Sequence, residues 1–174
     1  LIVDAGSRDK TKEVAQLSGA KLLRSPSPNR GAQLREGASL ASGAWLLFLH
    51  ADSRLPTKWH LRVEEIIKIP LADQKGWFFD FRIKGGRIDY RLLEVAVHIR
   101  STIAKRPYGD QGLLISKKLY NSIGGFSPIH LMEDLDFVER LSAKALLKRI
   151  ALPIYTDGKK WAKVNIIIQA IRNA

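Results

Sequence analysis

Strand-length apolar runs alternate with helix-length segments along the whole chain. The clearest run, Trp45–Leu49, is apolar at every position, which is typical of a strand buried on both faces between helices. The helical segments before and after Leu22–Leu23 are closed by Gly19 and Gly43, and glycine commonly terminates helices. Such alternation favours an α/β layer fold. We therefore expect a three-layer α/β/α domain around a mainly parallel sheet.

The pattern places each element within a few residues. The predicted strands are Leu1–Val3, Leu22–Leu23, Trp45–Leu49, Trp77–Ile83, Leu113–Ile115 and Arg149–Leu152. The predicted helices are Thr11–Ser18, Arg30–Ser42, Trp59–Lys68, Arg87–Lys105, a short helix capped by Ser116 that ends at Gly124-Gly125, Glu133–Ala145 and Trp161–Arg172. No repeat interrupts this order, so residues 1–174 are expected to form a single domain.

The predicted helix over residues 87–105 carries branched aliphatic residues at helical spacing, which indicates one apolar face. We expect this face to belong to the core and not to a membrane or cofactor surface. His98, on the polar side, is expected at the surface. The residues of the apolar face are Ile88, Leu92, Val95, Ile99 and Ile103.

Composition excludes several classes of protein. The chain has no cysteine, which rules out disulfide scaffolds, thiolate nucleophiles and cysteine-based zinc sites. No apolar run approaches the roughly 18 residues of a transmembrane helix. The formal net charge is +12, which favours anionic partners such as phosphorylated substrates, nucleic acid or an anionic membrane face. A cytoplasmic location is the expectation, with peripheral contact at the inner face of a membrane as an additional option.

Polar residues follow two of the predicted strands, where ligands bind in α/β sheets. Asp4-Ala5-Gly6-Ser7 follows Leu1–Val3, and a carboxylate there suits a nucleotide base or ribose. Taken alone, the segment is explained more simply by a plain turn in which Ser7 or Asp9 caps the helix. His50-Ala51-Asp52-Ser53 follows the strand ending at Leu49. Side chains at i and i+2 point the same way in an extended segment, so His50 and Asp52 are candidate ligands of one cation or diphosphate. An ordinary strand-to-turn transition is the alternative.

Two further segments carry acidic groups. Tyr108-Gly109-Asp110-Gln111-Gly112 brackets an acid and an amide with glycines, which allow close approach of a ligand to the backbone. Glu133-Asp134 opens a predicted helix. Either carboxylate there is a candidate general base, although stabilisation by the helix dipole explains both acids more simply.

The order of these segments resembles family 2 glycosyltransferases of the GT-A fold, and more closely a bacterial subfamily of small glycosyltransferases, some of which are linked to arsenosugar biosynthesis. The resemblance covers nearly the whole chain. Its matching segments are Val3–Ser7, Asn29–Gln33, Leu47–Pro56, Ile99–Ser101, Pro107–Gly112, Gly124–Phe126 and Leu131–Asp134.

The resemblance implies a hexosyltransferase-like enzyme that transfers a sugar, with inversion, from a nucleotide-diphosphate donor to an acceptor hydroxyl. Asp134 matches the catalytic base and Glu133 its supporting acid. Asp52, with His50, matches the motif that holds Mg²⁺ or Mn²⁺. The remaining matching residues are assigned to the donor site, with Asp4 at the base: Asp4, Gly6, Ser7, Arg30, Tyr108, Asp110 and Gln111.

The chain departs from the family pattern at two points. His50 stands where many family members have an acid, which leaves one carboxylate in the metal motif. The chain also begins one strand later than family members do, so a truncated start, a missing first strand and an incomplete donor site are expected. A catalytically silent domain that only binds nucleotide or a protein partner is therefore the main alternative.

Two other classes have less support. A nucleotidyltransferase would show a glycine-rich basic loop near the start, and none is present. A nucleic-acid-binding module is indicated by charge alone. The basic segment Lys159–Lys163, with Trp161, suits an anionic membrane surface. A docked terminal helix whose basic start contacts donor phosphates is the favoured explanation of the segment.

Overall fold

The computed structural model describes residues 1–85, 87–103 and 107–157. Strands and helices alternate through most of this part, as the sequence predicts. The strands are β1 (Ile2–Asp4), β2 (Leu22–Arg24), β3 (Trp45–Phe48), β4 (Lys75–Lys84), β5 (Leu113–Ser116) and β6 (Leu146–Asp157). The helices are α1 (Thr11–Leu17), α2 (Arg30–Leu40), α3 (Trp59–Ile67), α4 (Ile88–Thr102), α5 (Lys117–Ser122) and α6 (Glu133–Ser142). The predicted helix Trp161–Arg172 lies outside the described residues.

The sheet is mixed rather than mainly parallel. β1 and β2 form a separate parallel pair. The larger sheet has the order β3-β5-β4-β6, in which β5 runs antiparallel to both β3 and β4, while β4 and β6 are parallel. Strand-length apolar runs read the same in either direction, because burial on both faces and not strand direction makes them apolar. The α/β class is confirmed, and strand direction is the part that the pattern could not fix.

Helices cover both faces of the larger sheet. Successive residues of a strand point to opposite faces, and β5 shows the result. Leu113 and Ile115 join the cluster under α2, α5 and α6, whereas Leu114 joins the cluster under α3. Burying each large apolar side chain contributes about 1.5–3 kcal/mol, so these two clusters are the main stabilising contribution to the layered fold.

The prediction that the aliphatic face of α4 packs in the core is wrong. All five residues of that face are at least half exposed: Ile88, Leu92, Val95, Ile99 and Ile103. The helix instead buries Tyr90, Leu93 and Val97 against Phe81 and Ile83 of β4.

A buried charge helps to fix this rotation of α4. Glu94 is also buried, where it accepts a hydrogen bond from the backbone N–H of Ile83 at 2.9 Å and pairs with Arg82 and Arg91. The helix thus has two apolar faces, and periodicity alone could not choose between them. His98 is exposed, as predicted.

Candidate active site

Four segments that are distant in sequence converge at one end of the larger sheet. They are the start of α2 with Arg30, the residue pair after β3 that ends in His50, the loop before β5 that contains Gly109, and the start of α6 with Asp134. The N-terminus of α2 is held by a conventional cap, because the Asn29 side chain accepts a hydrogen bond from the Ala32 N–H at 2.9 Å. The predicted catalytic and metal motifs therefore meet in space.

Glu133 holds Arg30 of this cluster from the protein interior. Its side chain is fully buried, and its Oε1 lies 2.7 Å from Nε of Arg30. Burial raises the pKa of Glu133 above its ordinary value, because a desolvated carboxylate favours its neutral form. A buried carboxylate without a partner is costly, and Arg30 supplies that partner. Glu133 thus fixes the guanidinium, which is itself partly exposed, at the mouth of the site.

Asp134 is held in place but remains accessible. Its Oδ2 accepts a hydrogen bond from the Gly109 N–H at 2.7 Å, and its Oδ1 accepts one from the Leu135 N–H at 2.9 Å. The Arg30 Nη2 lies 3.9 Å from Oδ2. The side chain is 19% exposed, so it can meet a substrate, whereas Glu133 beside it cannot. The two acids of the motif therefore have different environments.

Gly109 is a site residue that the sequence analysis did not single out. A Cβ at this position would lie 2.5 Å from His50 Nε2 and 2.8 Å from Asp134 Oδ2. A side chain at this position would displace His50 or Asp134, so glycine lets the loop approach closely enough to donate its N–H to Asp134 without moving them. The signal in the sequence was the glycine itself, directly before an acid.

Asp110 and Gln111 lie in the same loop but face inward. Burial raises the pKa of Asp110 to about 6, although the nearby Arg100 opposes the shift. The Oδ1 of Asp110 is buried and has no hydrogen-bond partner among the described residues. Gln111 is buried, accepts from the Ser101 hydroxyl at 2.5 Å and donates to the Phe79 carbonyl at 3.1 Å. Both ends of the Gln111 amide are thus hydrogen-bonded within the protein, and its assignment to the donor site stays a prediction.

Tyr108 directly precedes Gly109 in this loop. It lines a small cavity together with Arg30, His50, Gly109 and Asp134. The guanidinium carbon of Arg100 lies 3.6 Å from the centre of the Tyr108 ring, a cation–π contact. Tyr108 therefore borders the space next to Asp134, where its donor-site assignment would place it.

The Asp4 turn lies apart from this cluster. The Asp4 carboxylate accepts hydrogen bonds from the backbone N–H groups of Gly6 and Ser7, each at 3.0 Å, and from the Ser7 hydroxyl. The Ser7 hydroxyl bond is the main reason that the pKa of Asp4 is lowered. The turn follows β1, which α2 holds through a bond from the Gln33 side chain to the Val3 carbonyl at 2.8 Å. The side-chain hydrogen bonds found for Asp4 in the described part of the chain stay within its own turn.

A large cavity of about 650 Å³ separates β1 from β3. Its walls include both strands and one side of α2, and its polar end is formed by His50, Asp52 and Arg30. β1 pairs with β2 and β3 pairs with β5, and in residues 1–85, 87–103 and 107–157 no strand pairs with their other edges. The cavity is of the size that holds a nucleotide-sized ligand.

The two predicted ligands, His50 and Asp52, differ in how well they would accommodate a divalent cation. No group of three or more histidine, aspartate or glutamate side chains within the described residues is arranged to hold a metal ion. The Nε2 of His50 is in close contact with the Arg30 Nη2, and a guanidinium against that nitrogen opposes a cation there. Asp52 supplies an oxygen ligand at the cavity wall, and one carboxylate plus substrate phosphates is a normal way to hold Mg²⁺. Asp52 therefore fits a metal-binding role, whereas Arg30 stands against the candidate nitrogen of His50. The metal assignments of both residues stay predictions.

The sequence matches the family Glycosyl transferase family 2 over residues 1–131. This is three quarters of the chain, and the chain belongs to that family. No curated protein sequence matches the chain. The Glu133-Asp134 pair lies directly beyond the matched range.

Solved structures with the same fold include glucosyl-3-phosphoglycerate synthase from Mycobacterium tuberculosis. Its complex with Mn²⁺, UDP-glucose and phosphoglyceric acid has a TM-score of 0.57 at 19% identity, covering 86% of this chain and 58% of that chain. Its complex with Mg²⁺ and UDP has a TM-score of 0.55 at 23% identity, covering 88% and 58%. The likeness shows a GT-A fold. This chain spans less than two thirds of the length of that enzyme.

Proposed function

We propose that this chain transfers a sugar from a nucleotide-diphosphate donor to an acceptor hydroxyl, with inversion at the anomeric carbon and Asp134 as the general base. The observation that carries the proposal is the position of Asp134. Its carboxylate is fixed by the Gly109 N–H, lies beside a cation and is open to solvent. Membership of glycosyl transferase family 2 supports the reaction class.

The base needs a defined orientation and a negative charge. The Gly109 N–H holds one carboxylate oxygen, and the Arg30 guanidinium lies 3.9 Å from the same oxygen. An oxygen of Asp134 then takes the proton of the acceptor hydroxyl as that hydroxyl attacks the anomeric carbon. A positioned general base typically contributes about 10²–10⁴-fold to the rate.

Arg30 has a second role in this proposal. The buried Glu133 holds its guanidinium, which lines both the small cavity beside Tyr108 and the large cavity between β1 and β3. A cation at this position favours the binding of a diphosphate between α2 and β3. Glu133 then acts as a positioning residue, because it is buried and touches Arg30 rather than the substrate.

Asp52 is the residue that would hold Mg²⁺ or Mn²⁺. When bound, such an ion stabilises the charge that develops on the departing diphosphate. The proposal follows from the carboxylate at the polar end of the large cavity. The glucosyl-3-phosphoglycerate synthase structures contain Mn²⁺ or Mg²⁺ together with UDP or UDP-glucose, which supports the same pairing of ion and nucleotide here.

Donor use and the metal role are tested together. The purified chain is offered UDP-, GDP- and dTDP-sugars with Mn²⁺, and release of the nucleoside diphosphate and the anomeric configuration of the product are measured. Binding of UDP with and without Mn²⁺ is measured separately by calorimetry. We expect Asp52→Asn to lose the Mn²⁺-dependent part of UDP binding, whereas Glu64→Gln, an exposed change on α3, keeps it.

Each outcome separates the alternatives. A product with retained configuration contradicts the inverting mechanism. Nucleotide binding without turnover of any donor supports the silent-domain alternative. Unchanged Mn²⁺-dependent binding by Asp52→Asn contradicts the metal assignment. Four further points stay predictions. They are the acceptor class, the cytoplasmic location, the single-domain organisation and the donor contacts of Asp4, Gly6, Ser7, Tyr108 and Asp110.

A further inference from the structure

The exposed face of α4 is an apolar surface that the fold does not explain. We call it the α4 stripe: Ile88, Leu92, Val95, Ile99 and Ile103. Its members are between 50% and 80% exposed. Scattered apolar side chains are normal on protein surfaces, but a contiguous apolar patch marks an interaction site.

The stripe is not the result of a poorly packed helix. The opposite side of α4 is buried through Tyr90, Leu93 and Val97, and the buried Glu94 is fully paired. Rotating the helix to bury the stripe would expose this packed face and leave Glu94 without its partners. The stripe therefore stays outward, along a helix of 15 residues, or about 22 Å.

The surroundings of the stripe are cationic. Residues 82–103 contain five lysine and arginine side chains and two carboxylates. Both carboxylates are paired with arginine: Asp89 with Arg87, and Glu94 with Arg82 and Arg91. Arg82, Lys84 and Arg91 also line a surface groove of about 410 Å³ next to the start of α4, together with the carboxylates of Asp80 and Glu94. The net charge of residues 82–103 is therefore +3, from five cations and two carboxylates.

We propose that α4 lies in the surface of an anionic lipid bilayer, with the α4 stripe among the acyl chains and the flanking cations at the headgroups. A helix with an apolar face and basic flanks binds in this way, through apolar burial and attraction to anionic lipid. Each nearby lysine or arginine strengthens the attraction. None of the helices within the described ranges is long and apolar enough to cross a membrane. This inference does not depend on the glycosyl-transfer proposal, because it concerns binding alone.

The contact would bring the candidate active site to the lipid surface. The last turn of α4 is joined to the loop of Gly109 by the bond from Ser101 to Gln111. The Arg100 guanidinium stacks on Tyr108 in the same loop. A bilayer along α4 would therefore lie against the helix that contacts the loop of Gly109.

The test is flotation of the full chain with vesicles of phosphatidylcholine alone and of phosphatidylcholine mixed with phosphatidylglycerol. We expect binding to the mixed vesicles, weakening as NaCl is raised from 0.1 to 0.5 M. Leu92→Gln combined with Ile99→Gln should weaken binding roughly tenfold or more, and each single change should weaken it less. Leu17→Gln replaces a residue of α1 that is 88% exposed and should leave binding unchanged.

Circular dichroism and thermal unfolding confirm that each variant is folded, and the single changes serve if the double variant is not. Absence of binding, or equal binding to neutral and mixed vesicles, overturns the proposal. Equal binding by the parent and the stripe variants also overturns it, and moves the contact to another segment such as residues 159–163. A dimer that the stripe variants convert to monomer, with no vesicle binding, assigns the stripe to a second copy of this chain.

Discussion

Helices α4 and α6 both carry apolar residues at helical spacing, but they differ in the number of apolar faces. α6 has a single apolar face, formed by Phe137, Val138 and Leu141, and buries it. α4 has two such faces and buries the one that carries Tyr90 and Glu94. The comparison shows that periodicity identifies a helix but identifies its buried side only when one apolar face exists. In α4 the aromatic residue and the paired charge decided the orientation.

The largest difference between the two helices should appear in stability. Phe137 is fully buried among aromatic neighbours, with the Phe126 ring centre at 4.6 Å. Phe137→Ala is expected to lower the free energy of unfolding by about 3–5 kcal/mol. Leu92→Ala, on the exposed stripe of α4, should change it by about 0.5 kcal/mol or less. Denaturant unfolding measures both, and a comparable loss for the two changes would show that the α4 stripe is covered.

A smaller effect is expected where the loop of Gly109 joins the two helices. The folded-state pKa of Asp110 is raised to about 6 from 3.8, chiefly by burial. Between about pH 4 and pH 6 the folded state therefore keeps a proton that the unfolded chain has released. The free energy of unfolding should then fall as pH rises through this range, by at most about 3 kcal/mol from this group.

Unfolding by denaturant at several pH values measures that slope. Asp110→Asn cannot titrate and should make the fall smaller, leaving the contribution of Glu133, whose pKa is also raised, whereas Asp73→Asn, at an exposed position, should keep the parental slope. A slope that is the same in the parent and in Asp110→Asn would contradict the burial of this carboxylate.

Much of the fold was predictable because its signals are local. Strand-length apolar runs and helix-ending glycines placed the elements within a few residues, although β6 proved much longer than Arg149–Leu152. The direction of β5 and the rotation of α4 depend on contacts between distant segments, which a single sequence does not reveal.

The candidate site likewise has one part that could be predicted from the sequence and one part that could not. The motif order pointed to Asp134, Glu133, Arg30 and His50, which the structure brings together. The contact of Arg30 with both Glu133 and His50 joins segments that are far apart in sequence, so no local pattern could predict it. Arg30 against His50 opposes a cation at that nitrogen, and the metal role of His50 stays a prediction. Gly109 was missed because a glycine offers no functional group, and its importance appears only when a Cβ is placed among its neighbours.

The central claim is that Asp134 acts as a base, and its neighbour on α6 provides a matched control. Asp136 lies in the same first turn and pairs with Arg140 and Ser127 on the protein itself. If acids at this position only stabilise the helix, Asp134→Asn and Asp136→Asn should each cost about 1 kcal/mol or less of stability and leave turnover per folded molecule unchanged.

The most direct measurement is therefore kcat of Asp134→Asn and Asp136→Asn with a donor that the parent uses, alongside UDP affinity. The account predicts that Asp134→Asn loses about 10²–10⁴-fold in kcat and retains nucleotide binding. Asp136→Asn should keep parental kcat. Equal turnover by the two variants, or a loss of nucleotide binding that accounts for the whole effect of Asp134→Asn, would contradict the assignment of Asp134 as the base.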